Sequence, residues 1–205
     1  MADIKAIFWD VGGVILSNAW DHKQRQRALQ EFHLDESEFD DRHDMLVSSF
    51  ERGKINLTDY LERTVFYRPR PFTPDAFRDF MYSLSQPVPE VLAIARELCN
   101  SGAYFMATIN NESTGLNAFR IKQFDLQEIF KVFVSSCFVG LRKPEEGIYR
   151  LALQITQRPP DQCCFIDDRP LNLDSAKRLG MRTINMQNPK QLRQDLEALG
   201  VKLPW

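Results

Sequence analysis

Short apolar runs alternate with amphipathic segments over most of the chain, and each type of pattern predicts one kind of element. Runs of four to six mainly apolar residues predict buried strands, whereas apolar positions three and four apart predict helices that end at Gly102, Gly180 and Gly200. Strands that alternate with helices favour a parallel sheet covered on both faces. The sequence therefore predicts an α/β fold with a Rossmann-like parallel sheet core and helices on both faces. The predicted strands are residues 4–9, 103–108, 132–135, 163–166 and 182–186.

The alternation breaks after the first strand, where residues 20–84 carry only helical patterns. Asp35, with Glu38 three residues later, predicts a capped helix start, and Thr73 followed by Pro74 predicts another. We expect an inserted helical cap whose aromatic side chains pack a small core of their own. The predicted domains are a core of residues 1–17 and 87–205 and a cap of residues 18–86.

The composition of the chain limits the cellular locations and the binding partners that we expect for the protein. The 205 residues carry a formal charge of −2 at pH 7, so no basic surface predicts binding to nucleic acid. No apolar run approaches the roughly 18 residues that predict a membrane span, and the N-terminus lacks the pattern of a signal peptide. None of the four cysteines has the spacing of a zinc site or a redox pair. We therefore expect a cytoplasmic protein with reduced thiols and no membrane partner, while its oligomeric state stays open.

Polar residues follow the predicted strands, at the edge where ligands bind in open parallel sheets. Taken alone, each has an ordinary role as a turn former, a helix cap or a solvated charge. The adjacent Asp167 and Asp168 are less ordinary, because two carboxylates after an apolar strand repel each other unless a cation relieves the cost. The residues at this edge are Asp10, Thr108 with Ile109, Asn110 and Asn111 after it, Lys143, Asp167 and Asp168.

The oxygen atoms at this edge suit magnesium, which often takes one or two carboxylates together with a phosphate oxygen. Asp10 and Asp168 can supply the direct carboxylates, and Asp167 can hold a metal-bound water. The backbone carbonyl of Gly12 can be a further ligand. Lys143 would then balance the remaining negative charge beside a phosphoryl group.

Four segments of the chain, in this order and spacing, resemble the motifs of the haloacid dehalogenase-like hydrolases. The resemblance covers essentially the whole length, and the insertion after the first motif resembles the helical cap of that superfamily. The branch that the chain resembles most holds epoxide-hydrolase-like N-terminal phosphatases and bacterial glucose-1-phosphate phosphatases. The segments are IFWDVGGVI, FMATINNES, GLRKPEEGIY and CFIDDRPLN.

The resemblance implies a magnesium-dependent phosphatase that acts on a small phosphorylated metabolite, with a sugar phosphate as one candidate. Asp10 would be the nucleophile that forms an aspartyl-phosphate, and Lys143 would steady the nucleophile and the transferring group. Asp10, the Gly12 carbonyl and Asp168 would hold the metal. Asp167 would support it. The residues implied for phosphate binding are Asn110, Thr108, Gly12 and Gly13.

Two positions depart from the pattern of this superfamily. Gly12 stands where its phosphatases usually carry a second aspartate, which donates a proton to the leaving alcohol and later activates water. Acid–base help of this kind is worth about 10²- to 10⁴-fold in rate. Ile109 stands where Ser or Thr usually precedes the asparagine of the second motif, so Asn110 is a safer phosphate ligand than Thr108.

Two other functions stay open at this point. Carbon–halogen hydrolysis needs no proton donor for the halide, so Gly12 would be harmless there, although the acidic pair argues for a metal that dehalogenases do not need. A degenerate member of the superfamily would bind a phosphometabolite or a protein partner without turnover.

Side chains outside the four motifs would set the specificity. Trp20 would either stack on a sugar or pack at the hinge between core and cap. His22 and His43 lie on polar helical segments, which favours a surface role, and only His22 is a candidate for the missing acid. Arg142 and Arg169 flank two motifs, where they would bind an anionic group or remain exposed charges.

Overall fold

The computed structural model describes residues 3–18 and 20–203, which centre on one sheet of five parallel strands. The strands are β1 (Ala6–Trp9), β2 (Phe105–Asn110), β3 (Val132–Ser135), β4 (Cys163–Asp167) and β5 (Arg182–Asn185). They lie in the order β3-β2-β1-β4-β5. After β3, the chain therefore passes β2 and β1 and forms β4 on the other side of β1. The carboxyl ends of parallel strands meet at one edge, and the predicted α/β class is confirmed.

Helices fill the connections between the strands. Five of them lie between β1 and β2, which is where the sequence predicts the insertion. These are α1 (His22–Glu31), α2 (Glu36–Glu51), α3 (Leu57–Thr64), α4 (Pro74–Ser83) and α5 (Pro89–Asn100). The later helices are α6 (Thr114–Gln123), α7 (Ser136–Val139), α8 (Glu146–Thr156), α9 (Pro170–Arg178) and α10 (Pro189–Ala198), with 3-10 turns at Leu126–Glu128 and Pro160–Gln162.

Alternate residues of the central strand point into two separate apolar clusters. Ile7 and Trp9 pack with side chains of α5 and α10, whereas Ala6 and Phe8 pack with side chains of α8 and α9. All four residues are completely buried. Helices therefore cover both faces of the sheet, which leaves the ends of the strands as the place for polar groups.

The second strand has the predicted length but lies two residues further along the chain, at Phe105–Asn110 instead of 103–108. It continues through Ile109 to Asn110, which is in register with Ser135 of β3, rather than ending at Thr108. The ladder that β3 offers outweighs the low strand propensity of asparagine. Thr108 consequently lies inside the strand, beside Trp9 of β1, and is fully buried.

The inserted helices α1 to α4 pack around an aromatic cluster of their own, as the sequence predicts. Phe77 lies within it, with its ring centroid 4.9 Å from that of Phe32 and 5.9 Å from that of Trp20. Asp35 and Thr73 each accept a hydrogen bond from a first-turn backbone N–H at the starts of α2 and α4. The cap is thus held by a core and by helix caps that local sequence specifies.

Two short segments join the insertion to the sheet and pair with each other. The backbone N–H of Ser17 donates to the carbonyl of Gln86 at 2.7 Å, and the hydroxyl of Ser17 donates to the carbonyl of Leu84 at 2.9 Å. The predicted cap of residues 18–86 begins and ends beside this pairing, and its exact boundaries stay a prediction. The residues of the predicted domains that lie outside the described ranges are 1, 2, 19, 204 and 205.

Two further findings concern membranes and cysteine chemistry. Among residues 3–18 and 20–203, no helix combines the length and the hydropathy that a membrane crossing requires. All four cysteines are free thiols. Cys163 and Cys164 are buried in β4, whereas Cys99 and Cys137 are half-buried.

Replacing Phe77 by alanine tests whether the aromatic cluster stabilises the protein. Phe77 is fully buried, so Phe77→Ala should lower the free energy of unfolding by about 3–5 kcal/mol. Phe138 is 53% exposed, and the control Phe138→Ala should change that free energy by less than about 0.5 kcal/mol. Urea unfolding of both variants measures the difference, and equal losses would contradict the packing described here.

Candidate active site

Asp10 directly follows β1 and is 6% exposed. Its Oδ1 accepts a hydrogen bond from the backbone N–H of Val11 at 2.7 Å and contacts Nζ of Lys143 at 2.8 Å. Within the described residues, Oδ2 accepts no hydrogen bond, so one carboxylate oxygen is held while the other is available. Burial raises the pKa of Asp10 to about 7, against the opposing charge of Lys143.

Lys143 is the cation at the centre of the site and is 3% exposed. Its Nζ contacts Oδ2 of Asp167 at 2.6 Å as well as Oδ1 of Asp10. Burial works against the ammonium charge, but the two carboxylates outweigh it and raise the pKa of Lys143. Asn111 holds the backbone here: its amide donates to the carbonyl of Lys143 at 2.9 Å and accepts from the N–H of Lys143 at 2.8 Å.

The two acidic residues at the end of β4 differ in their surroundings. Both carboxylate oxygens of Asp167 accept hydrogen bonds, and the donors are Lys143, the amide of Asn172 and the backbone N–H of Arg169. Within the described residues, the buried Oδ1 of Asp168 accepts no hydrogen bond, and burial together with the charge of Asp167 raises the pKa of Asp168. Carboxylate oxygens of Asp10, Asp167 and Asp168 lie within 4.8 Å of one another. An unpartnered oxygen in such a cluster is the donor that a cation would take.

Gly13 lets the loop after β1 approach the acidic pair. Its φ is +84°, and a Cβ atom there would lie 2.4 Å from Oδ2 of Asp168. Any side chain at this position would therefore displace the Asp168 carboxylate and strain the backbone. The loop and the carboxylate fit together only because residue 13 is glycine.

Gly12 has a different neighbour. A Cβ atom built there would lie 3.5 Å from Nη1 of Arg120, an ordinary contact distance. Arg120 is almost completely buried, and its Nη1 is 3.2 Å from Oε2 of Glu112. It also donates to the hydroxyl of Ser85 at 3.1 Å and to the carbonyl of Ser17. The place beside Gly12 is thus filled by a buried arginine–glutamate pair that also reaches both segments joining the cap to the core.

Asn110 and Thr108, both predicted to bind phosphate, lie deeper than the sequence indicates. The amide of Asn110 donates to Oδ1 of Asn117 at 3.0 Å and accepts from the hydroxyl of Ser135 at 2.8 Å. Both ends of this side chain are therefore occupied by other protein groups, and Thr108 is buried in β2. Their roles in phosphate binding stay predictions, whereas Asn111, one residue further on, faces the cavity.

A cavity of about 490 Å³ lies over this edge of the sheet, between core and cap. Six of its lining residues are Lys or Arg and four are Asp or Glu, which favours an anionic occupant. The charged lining residues are Asp10, Asp21, Lys23, Arg25, Glu51, Glu112, Arg120, Arg142, Lys143 and Arg169.

His43 lines the same cavity from the cap and is buried, so the expectation of a surface role is wrong for this residue. Its Nδ1 lies 2.7 Å from the hydroxyl of Tyr60, which already accepts a hydrogen bond from the indole N–H of Trp20 at 2.9 Å. With the hydroxyl of Tyr60 as the donor to Nδ1, the proton of the neutral imidazole lies on Nε2. Burial, with the charge of Arg25, lowers the pKa of His43 to about 4 and keeps the ring neutral.

Ion pairs and hydrogen bonds join the end of α2 in the cap to the loop that carries Lys143. Arg142 contacts Glu51 at 2.6 Å, and Arg52 donates to the carbonyl of Gly140 at 2.8 Å and contacts Glu145. These contacts cover one side of the cavity. The predicted exposure of Arg142 is therefore only partial, whereas Arg169 is exposed at the cavity rim.

Sequence reasoning missed the buried pair of Glu112 and Arg120. Glu112 stands in the second motif, directly after Asn110 and Asn111, and a carboxylate at a strand end was a signal to follow. Arg120 lies two turns into α6, and no local spacing connects it with Gly12. Only the fold brings these segments together.

The parallel sheet and the acidic centre at its edge define a class of α/β hydrolases. The family model described as haloacid dehalogenase-like hydrolase matches residues 4–180, and the chain belongs to this family. The chain is 27% identical over 165 residues to flavin mononucleotide hydrolase 1, a chloroplast protein of Arabidopsis thaliana. That match covers 79% of the chain and 65% of the relative, so the chain spans less than two thirds of that protein.

Solved structures share the fold. One is a HAD family enzyme of Bacteroides thetaiotaomicron in complex with magnesium and inorganic phosphate, with 18% identity, a TM-score of 0.75, and coverage of 90% of this chain and 94% of that one. Another is an L-2-haloacid dehalogenase, with 17% identity, a TM-score of 0.64, and coverage of 92% and 86%. At these identities both likenesses show the fold alone.

The neutral state of His43 gives a testable pH dependence. Its pKa falls from 6.5 in the unfolded chain to about 4 in the folded protein, so the unfolded state binds more protons between these values. The neutral ring makes its full contribution to the free energy of unfolding above pH 6.5. This contribution is lost as the pH falls towards 4, and the loss amounts to at most about 3 kcal/mol. Urea unfolding from pH 7 to pH 4 should show this slope in the wild type and a smaller slope in His43→Gln. The exposed His33 provides the control His33→Asn, and an unchanged slope in His43→Gln would contradict the assignment.

Proposed function

We propose that this protein is a magnesium-dependent phosphomonoester hydrolase that works through an aspartyl-phosphate on Asp10. One observation carries the proposal: the buried Lys143 contacts one oxygen of Asp10, and carboxylate oxygens of Asp10, Asp167 and Asp168 lie within 4.8 Å of one another. Membership of a hydrolase family and the similarity to a flavin mononucleotide hydrolase support the same reaction class.

The side chains present fit a magnesium ion. Asp10, Asp168 and the carbonyl of Gly12 would hold it, and Asp167 would support it through the hydrogen-bond network around Lys143. The buried, unpartnered Oδ1 of Asp168 supports this assignment, because without a cation its burial is uncompensated. Bound there, the ion would neutralise charge on the phosphoryl oxygens.

The protein residues would act in two steps. Oδ2 of Asp10 attacks phosphorus in line with the leaving oxygen, and the bond between phosphorus and that oxygen breaks. Water then attacks phosphorus of the aspartyl-phosphate, which releases inorganic phosphate and restores Asp10. Lys143 favours the ionised carboxylate of Asp10 before the attack and keeps the side chain oriented in both steps, since its Nζ contacts Oδ1 and leaves Oδ2 free to attack.

The cavity supports a small anionic substrate. Its volume of about 490 Å³ suits a phosphorylated metabolite, and its basic residues would attract the phosphate. A sugar phosphate and a nucleotide such as flavin mononucleotide are candidates for the metabolite. We place the reaction in the cytoplasm, because the four cysteines are unpaired thiols of the kind that a reducing compartment maintains.

Carbon–halogen hydrolysis is the second candidate, because Gly12 offers no proton and halide needs none. A panel of phosphorylated metabolites and 2-haloacids, assayed with magnesium and with a chelator, separates the possibilities. Magnesium-dependent phosphate release supports the proposal, whereas halide release that survives the chelator supports the dehalogenase. Binding of a phosphorylated metabolite without any turnover would identify a degenerate member.

Replacing the nucleophile gives the most specific variant. Asp10→Asn keeps the size of the side chain but removes the attacking carboxylate, so phosphate release should fall by about 10⁴-fold or more. Asp174 is exposed on α9, and Asp174→Asn is the matched control that should keep wild-type turnover. Steady-state phosphate release with magnesium measures both variants. Turnover of Asp10→Asn within about tenfold of the wild type would exclude covalent catalysis at this residue.

The close approach of Gly13 to Asp168 provides a test of the metal site. Gly13→Ala should displace the Asp168 carboxylate and weaken magnesium binding by about tenfold or more. Gly102 also has a positive φ, of +65°, but a Cβ atom there would meet no other atom within 4 Å, so Gly102→Ala controls for backbone strain alone. The shift of the melting temperature with magnesium concentration should shrink in Gly13→Ala and persist in Gly102→Ala. The same shift in both variants would contradict the assignment of Asp168 as a ligand.

A further inference from the structure

The proposed reaction needs a proton donor that the usual position does not provide. A leaving alkoxide must be protonated in the first step, and the attacking water must lose a proton in the second. Gly12 has no side chain, and a Cβ atom built there would lie 3.5 Å from both Nη1 of Arg120 and Oδ1 of Asn18. A guanidinium stays protonated near neutral pH and an amide does not titrate, so neither group is the missing acid.

Arg120 contacts a buried carboxylate of the cavity, that of Glu112. Glu112 lies in the loop between β2 and α6, is 7% exposed, and lines the cavity. Its Oε2 is 3.2 Å from the same Nη1 of Arg120 that faces Gly12. The same nitrogen thus contacts Glu112 and lies 3.5 Å from the position of a Cβ atom at residue 12.

The position of Glu112 is fixed by several contacts. Its Oε1 accepts a hydrogen bond from the backbone N–H of Ser113 at 3.0 Å, and its own N–H donates to the hydroxyl of Ser136 at 3.0 Å. Arg120 is in turn held by Ser85 at 3.1 Å. These contacts fix the side chain in place, as a proton-transfer group requires.

Other titratable groups of the cavity are committed elsewhere. Asp21 caps α1 by accepting a hydrogen bond from Gln24, and Glu51 contacts Arg142 at 2.6 Å. His43 is neutral and hydrogen-bonded to Tyr60. His22, the substitute acid suggested by sequence, is exposed and lies 4.0 Å from Glu36 in the cap.

We propose that Glu112 is the general acid and base of this enzyme and replaces the aspartate that is absent at Gly12; the inference rests on the proposed phosphatase function. In the first step the carboxylic acid of Glu112 gives its proton to the leaving oxygen as the bond from that oxygen to phosphorus breaks. In the second step the Glu112 carboxylate takes a proton from the water that attacks phosphorus. Glu112 ends protonated again, so the cycle balances.

The electrostatics of Glu112 agree with this role. Burial raises the pKa of Glu112 to about 7, although Arg120 and the N–H of Ser113 favour the ionised form. Glu51 adds a repulsive charge in the same direction as burial. A group with a pKa near the working pH both gives and takes a proton readily.

Pre-steady-state kinetics of Glu112→Gln test the proposal. p-Nitrophenolate leaves without a proton, so the variant should release about one equivalent of it in a burst and then turn over about 10²- to 10⁴-fold more slowly than the wild type, because water is no longer activated. With glycerol phosphate, an alkyl ester, turnover should fall by a similar factor and no burst should appear. Glu51→Gln, a matched change of another cavity carboxylate, should give no burst.

A rescue variant separates catalysis from structure. A Cβ atom at Gly12 would have no neighbour closer than 3.5 Å, so the first side-chain atom of Gly12→Asp meets no clash. The double variant that combines it with Glu112→Gln should turn over at least tenfold faster than Glu112→Gln alone, because the aspartate supplies an acid at the usual position. Restoration supports acid–base loss as the cause, since an aspartate at residue 12 would not repair a misfolded loop.

The opposing results are distinct. If the wild type turns over both esters and Glu112→Gln matches it on both, the phosphatase function stands and the role of Glu112 is wrong. If the wild type releases phosphate from no ester, both proposals fall.

If Glu112→Gln does not fold, Glu112→Asp keeps the charge beside Arg120 with a withdrawn carboxylate. A burst with slow turnover in that variant supports the proposal, and wild-type turnover overturns it.

Discussion

The site depends on one buried ammonium group. Nζ of Lys143 contacts Asp10 at 2.8 Å and Asp167 at 2.6 Å, and nearly all of its surface is removed from water. Burying such a charge costs several kcal/mol unless it is paired, and removing one partner of a buried pair typically costs about 3–5 kcal/mol. The ends of β1 and β4 and the loop after β3 are therefore tied together by the same interaction that orients Asp10. Asn111, after β2, adds a fourth segment by holding the backbone of Lys143.

Two ion pairs flank that centre. Arg120 is paired with Glu112 and Arg142 with Glu51, so part of the cavity charge is balanced by protein groups. Asp168 is an exception, because its buried Oδ1 accepts no hydrogen bond from the described residues. The exception lies where a cation and a phosphoryl group would complete the balance. Contacts from the end of α2 to the loop of Lys143 join the cap to this centre.

Much of this architecture follows from local sequence. Short apolar runs and period-3.6 patterns predict the sheet and its helices, and Asp10, Lys143 and Asp168 come after predicted strands, at the edge where open parallel sheets bind ligands. Asn110 and Thr108 lie deeper than predicted because pairing with β3 extends β2 past a residue with low strand propensity. The link from Gly12 through Arg120 to Glu112 has no sequence signal, since it joins groups that only tertiary packing brings together. The polar residues around His43 predict a surface position, yet a hydrogen bond from Tyr60 makes its burial possible.

Trapping the covalent intermediate tests the central claim most directly. The wild-type enzyme would be mixed with magnesium and a substrate that it hydrolyses, quenched in acid within the first turnovers, and digested for mass spectrometry. The account predicts a phosphorylated aspartate in the peptide that contains Asp10, lost on longer incubation as the substrate is consumed. Phosphate release with no phosphorylated peptide, or with the phosphate on another residue, would contradict it.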